Sequence, residues 1–270
     1  MAPEQEVRYS PVAALLYGAP IGLLGGLIRL GGAEFRLPVL AGVFSYTARR
    51  AVALNLAISL VTVVSALLIR GGTLSLEPLI ALLPVALAMI VGAVSAAFFG
   101  VALVHRISEV LLERLILVLL VGIGTALVVE AFLPREASGF LPEGTVEGIR
   151  VAVAVVLGVF IGLVSSLLGV AGGELIIPTL VFVFGAGIKS AGTASLLISL
   201  PTVAVGVLRH RRLGSFSERA DLAQTVAPMG VGSVVGAVLG SLLVGVVPAE
   251  VLKFVLGMIL IVSAVRIFYR

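Results

Sequence analysis

Two stretches of this chain carry one pattern: GLIRLGGAEFRLP from Gly26 to Pro38, and SLLGVAGGELIIP from Ser166 to Pro178. In each, a run that is apolar except for Arg29 ends in consecutive glycines, an acid follows, and a proline comes four residues after the acid. Paired glycines close to a proline disfavour a continuous helix, so both stretches predict a helix that breaks and then restarts as a shorter one. The offset is 140 residues, Glu34 to Glu174. In the same ungapped frame Ile21 falls on Ile161, Pro38 on Pro178, Ala51 on Ala191, Ser59 on Ser199 and Thr62 on Thr202. Further on, Pro84 pairs with Pro228, Gly92 with Gly236 and Glu109 with Glu250. Leu, Val and Ala match by chance in any apolar chain, whereas Gly, Glu and Pro in one frame mark a duplication.

Outward from these breaks lie long stretches without Asp, Glu, Lys or Arg: Tyr9 to Ile28, Ala51 to Ile69, Pro78 to Val104, Val151 to Gly173, Ser190 to Leu208 and Leu222 to Ala249. About 20 helical residues cross a hydrocarbon core, so each is a candidate span. Leu115 to Val129 and Phe254 to Val265 are shorter, but Arg114, Lys253 and Arg266 flank them and can snorkel. Leu37 to Ala48 and Leu175 to Ile188 are too short to span and read as half-helices. The expectation is an all-α membrane protein, a duplicated helical bundle of eight spanning helices plus two short broken or re-entrant helices. Residues 1–8 form a short tail, 9–133 the first membrane repeat, 134–147 a linker rich in Pro, Gly and Glu, and 148–270 the second repeat. The first ten residues lack a basic n-region and a small-residue cleavage site, so the first apolar segment is expected to stay as a membrane helix.

Composition agrees. Of the 270 residues, 60% are hydrophobic and 12% charged, and the mean hydropathy is +1.26. Soluble domains carry about 25% charged residues, so this chain could not cover its apolar surface in water. The net charge of +4 does not indicate nucleic acid, because the basic residues sit beside helix ends, as the positive-inside rule requires. Equivalent loops carry opposite bias: Arg209, Arg211 and Arg212 correspond only to Arg70, while Arg106 faces a charge-free Val244 to Val247. That opposition favours inverted halves, with both termini on the cytoplasmic side of a bacterial inner-membrane type of cell membrane. The chain has no Cys, hence no thiolate chemistry, and the reading calls for no cofactor, no metal and no catalytic residue. His105 and His210 read as solvated loop histidines, which leaves an intramembrane hydrolase without a Ser–His pair.

In a duplicated transporter the site lies at the repeat interface near the bilayer midplane. Broken helices there free backbone N–H groups, and a restarting N-terminus favours an anion. The candidate binding residues are therefore Gly31, Gly32 and Ala33 with Gly172 and Gly173, together with Arg29, Arg36, Asn55, Ser59, Ser195 and Ser199. Glu34 and Glu174, equivalent acids at membrane depth, are the candidate proton-coupling pair. Arg36 either offers a charged fork to an oxyanion or neutralises Glu34. Thr62, Thr193 and Thr202 could line the same space or bond their own helices. Elsewhere Gly18 and Gly22, and Gly232, Gly236 and Gly240, recur every fourth residue and predict close helix packing.

The duplicated break, Gly31-Gly32 to Pro38 and Gly172-Gly173 to Pro178, resembles that of the TauE/SafE family of sulfite and organosulfonate exporter-type permeases. The family motif is richer in glycine, and Arg29, Leu30 and Ala33 interrupt the first copy here. The resemblance implies a secondary transporter, working without ATP domains, that exports a small sulfur-containing anion such as sulfite or sulfoacetate. A passive anion channel is the alternative. The partners implied are the substrate anion and the lipid bilayer, with a homodimer as a candidate assembly.

Overall fold

The structure is a computed structural model describing residues 10–28, 32–70, 80, 82–132, 139–141, 145–216, 218–243 and 248–269. Among these residues the regular structure is helical. The first half of the chain contributes α1 (Pro11–Ile28), α2 (Ala33–Gly42), α3 (Ala48–Arg70), α4 (Leu83–Arg106) and α5 (Glu109–Glu130). The second contributes α6 (Glu147–Leu168), α7 (Gly173–Val183), α8 (Ile188–Arg212), α9 (Arg219–Leu242) and α10 (Ala249–Phe268), so each helix has its sequence equivalent five places on. Local signals set several ends. Ser108 caps α5 by accepting from Leu111 N, with Glu109 in the first turn, and Pro84 stands at the start of α4.

Seven helices, α3 to α6 and α8 to α10, are long and apolar enough to cross a bilayer. α1, with 18 residues, is at the short end of that range, and α2 and α7 are shorter still. The outer surface is apolar: Leu68, Phe99, Val118 and Val156 are each more than 65% exposed. Some charged and amide groups are fully buried instead, among them Glu34, Arg36, Asn55 and Asp221. This reverses a water-soluble protein and fits lipid as the solvent.

The halves interlock. α1 lies along α9, with Gly18 against Met229, Gly22 against Ser233 and Gly26 against Ala237, while Gly236 meets Ala19 and Leu23. α4 lies along α6 in the same way, through Gly92, Gly158 and Gly162. In both pairs the residue numbers rise together, so the helices run parallel. The four-residue glycine spacing brings the backbones together, as expected from the sequence. α5 and α10 are sequence equivalents, yet they pack antiparallel: Phe132 meets Phe254, Glu130 pairs with Lys253, and Gly124 meets Gly257 and Ile261.

Side-chain contacts gather the helix ends. Arg49 at the start of α3 donates to Val104 O and Ile107 O at the end of α4, and its N–H donates to Glu109 on α5. Arg50 reaches Asp221 and Glu218 at the start of α9. With Arg106, Arg211 and Arg212 on the same ends, this end of the molecule is strongly basic.

Candidate functional site

At the centre the two breaks meet. Gly32 (φ 70°) precedes α2 and Gly172 (φ 79°) precedes α7, both in the left-handed region that a side chain would strain. The interrupted backbones leave carbonyls without helical partners, and polar residues of the crossing helices accept that task. Asn55 Nδ2 donates to Ala33 O at 3.0 Å and to Leu168 O at 3.1 Å. Ser59 Oγ donates to Gly169 O at 3.3 Å, and Ser199 Oγ to Ala171 O at 2.7 Å. Thr62, Thr193, Ser195 and Thr202 bond carbonyls of their own helices.

Arg36 turns to α3: its Nε donates to Asn55 Oδ1 at 3.0 Å and its Nη2 to Ser59 Oγ at 2.8 Å. Nη1 has no partner, nor do the carboxyl oxygens of Glu34 or Oε2 of Glu174. Glu34, Arg36 and Glu174 thus form a buried group of two acids and one guanidinium in each other's fields, without a direct Arg36–Glu34 bond. A guanidinium tied down on one edge and open on the other presents a fixed positive charge beside the acids.

A cavity of about 390 Å³ lies against this group. Its wall holds hydroxyls from Thr62 and Ser65 on α3, Ser195 and Ser199 on α8, and Ser233 on α9. Glu174 is the charged residue in the described lining. Of the residues singled out in the sequence, Ala33, Gly173, Glu174, Ser195 and Ser199 reach the wall, while Gly32, Glu34, Arg36, Asn55, Ser59 and Gly172 stand behind it. Arg29 and Gly31 lie outside the described residues. Ser233 was not anticipated. It is buried, its Oγ has no partner, and it sits among glycines whose spacing signalled only packing.

Toward the basic end the space is closed. Tyr46 Oη donates to Asp221 Oδ1 at 3.1 Å and lies 2.8 Å from Thr225 Oγ1, joining the first half of the chain to the second. The histidines are not solvated loop residues. They occupy the last turns of α4 and α8, His210 is fully buried, and His105 Nε2 lies 3.4 Å from His210 Nδ1. Ser215 Oγ is 3.0 Å from both rings. The hydropathy of α8 hid this contact, because nothing local to His210 reveals that α4 ends beside it.

The family model described as "Sulfite exporter TauE/SafE" matches residues 1–127 and 154–270. A "Probable membrane transporter protein" of Methanocaldococcus jannaschii is 27% identical over 117 residues. That alignment covers 41% of this chain and 42% of the relative, so it spans less than half of the relative's length. No solved structure matches the chain.

Proposed function

The chain belongs to the sulfite exporter TauE/SafE family, and from that premise we propose that this multi-pass membrane transporter is a proton-coupled exporter of a small sulfur-containing anion. Sulfite, sulfoacetate and related organosulfonates are the substrate class. The observation that carries the reading is the pairing of a hydroxyl-lined cavity with Glu174 on its wall and Glu34 and Arg36 behind it. A monoanion cannot settle beside an ionised carboxylate at membrane depth without a large electrostatic cost. Protonation of Glu174 removes that cost, so anion and proton occupy the cavity together and cross in the same direction, and export then runs down the anion's own outward gradient. Arg36 supplies the fixed positive charge, and the hydroxyls supply donors for sulfonate oxygens.

The proposed architecture is two inverted repeats with eight spanning helices, α1 included, and α2 and α7 as the short broken elements. The antiparallel packing of the equivalent helices α5 and α10 supports inversion, because halves related by an axis along the membrane normal would run their equivalent helices the same way. The positive-inside rule supports an orientation with the basic end, where α1 begins and α10 ends, at the cytoplasmic face of a cell membrane.

The test is a thermal-shift series on purified protein with sulfite, sulfoacetate, isethionate, taurine and sulfate. A bound ligand stabilises the fold by mass action, about 2.7 kcal/mol at one hundred times its dissociation constant. A selective shift with one of the sulfur oxyanions is expected. Equal, negligible shifts with all five at millimolar concentration would exclude the substrate class.

A further inference from the structure

The cavity is open, and its repeat-equivalent on the other side of the breaks is shut. Residue for residue, Thr62 corresponds to Thr202, Ala66 to Gly206, Leu196 to Leu56 and Ser199 to Ser59. Ala66 and Leu196 both stand on the cavity wall. Gly206 and Leu56 instead touch: a Cβ on Gly206 would lie 2.7 Å from Leu56 Cδ2. The helix ends differ in the same sense. Ile69 of α3 and Ser241 of α9 line the open cavity. In the equivalent pair, α8 is drawn against α4, with Arg209 stacked 4.2 Å over the Phe98 ring and His210 against His105.

The orphaned polar atoms fall along the same line. Among the described residues, buried side-chain atoms without a hydrogen-bond partner belong to Glu34, Arg36, Glu174, Arg209, His210 and Ser233. Glu174 and Ser233 face the open cavity. Glu34 and Arg36 stand at the breaks, and Arg209 and His210 at the shut end. A buried group left unpaired is costly, and that cost disappears when water or an anion reaches it. On α8, Ser195, Ser199, Thr202, Gly206 and His210 recur every three or four residues and are all buried. They form one face running from the open cavity to the shut end.

We propose that this shut region is the inward half of the transport path, a second station for the same small oxyanion, gated by the contact of α4 with α8 at His105 and His210. The proposal rests on the transporter reading above. Opening the gate separates Leu56 from Gly206 and exposes Arg36, Arg209 and His210, while closure brings Ala66 to Leu196. The two stations differ in charge: the open one carries Glu174 and hydroxyls, the shut one cationic and imidazole groups. An oxyanion entering from the basic face therefore meets donors first and the proton-carrying acid second.

The chain has no cysteine, so paired substitutions can lock either state. Leu56→Cys with Gly206→Cys makes the room that a substitution at Gly206 alone would lack. A third substitution, Ser166→Cys, reports access, since Ser166 is the repeat-equivalent of Gly26 on the open cavity's wall and is itself buried, its Oγ 3.4 Å from Ala97 O of α4. Oxidative cross-linking of positions 56 and 206 should lower maleimide labelling at 166 from the basic face at least tenfold. Cross-linking Ala66→Cys with Leu196→Cys should raise it at least tenfold. Equal labelling in the two locked forms, or no cross-link between 56 and 206, overturns the gate whatever the chain carries. Sulfite and sulfoacetate flux is read in parallel: if the locks move labelling as expected but the unlocked protein carries neither anion, the gate stands and the substrate assignment falls.

Discussion

Arg36 Nη2 donates to Ser59 Oγ across 2.8 Å, and the same hydroxyl donates onward to Gly169 O at 3.3 Å. One short side chain therefore ties the arginine of the first break to the broken backbone of the second. Ser59→Ala leaves a guanidinium nitrogen and a buried carbonyl unpaired, which should cost about 1–3 kcal/mol. The melting temperature in detergent should fall, while Thr193→Ala, which removes an exposed hydroxyl bonded to its own helix, should leave it unchanged.

Arg36 itself is expected to govern anion affinity. Arg36→Lys keeps the charge but loses the planar fork, so binding should weaken. Arg36→Gln removes the charge and should reduce binding more than tenfold in protein shown to be folded. Undiminished affinity in the Gln variant would take Arg36 out of the site.

Glu174→Gln places a permanently neutral group on the cavity wall. Exchange of labelled substrate across proteoliposomes should persist, while accumulation driven by a proton gradient should be lost. A Gln variant that still concentrates substrate would make Glu174 a structural residue.

Gly236→Ala drives a methyl group into the backbone of α1 at Ala19, with Leu23 N at 2.7 Å. The helices must part, at a cost of about 1–3 kcal/mol for overpacking. Gly122→Ala on α5 meets nothing within 4 Å. It should leave stability unchanged or raise it by up to about 1 kcal/mol through helix propensity.

Thr47 and Gly187 are repeat-equivalent, exposed loop positions. Single cysteines there should label from opposite faces of the membrane if the halves are inverted. Labelling of both from one face would falsify the inversion.

The sequence alone was enough for the all-helical class, for the long apolar spans and for the positions of the two breaks. These depend on local physics: runs of apolar residues long enough to span, paired glycines before an acid and a proline, and small residues every fourth position. It also brought Glu34, Glu174, Arg36, Asn55 and Ser59 into one candidate site, because equivalent residues of a duplicated half converge at its interface. What it could not supply was who bonds whom. Arg36 had Glu34 two residues away and chose Asn55 and Ser59 on α3, since a buried fork takes the partners whose geometry fits. Ser233 and His210 gave no local sign, because one lies in a glycine packing stripe and the other follows an arginine at a helix end. Their surroundings are built by helices distant in the chain, and only the packing of α9 and α4 against α8 and α3 decided that Ser233 faces a cavity while His210 closes one.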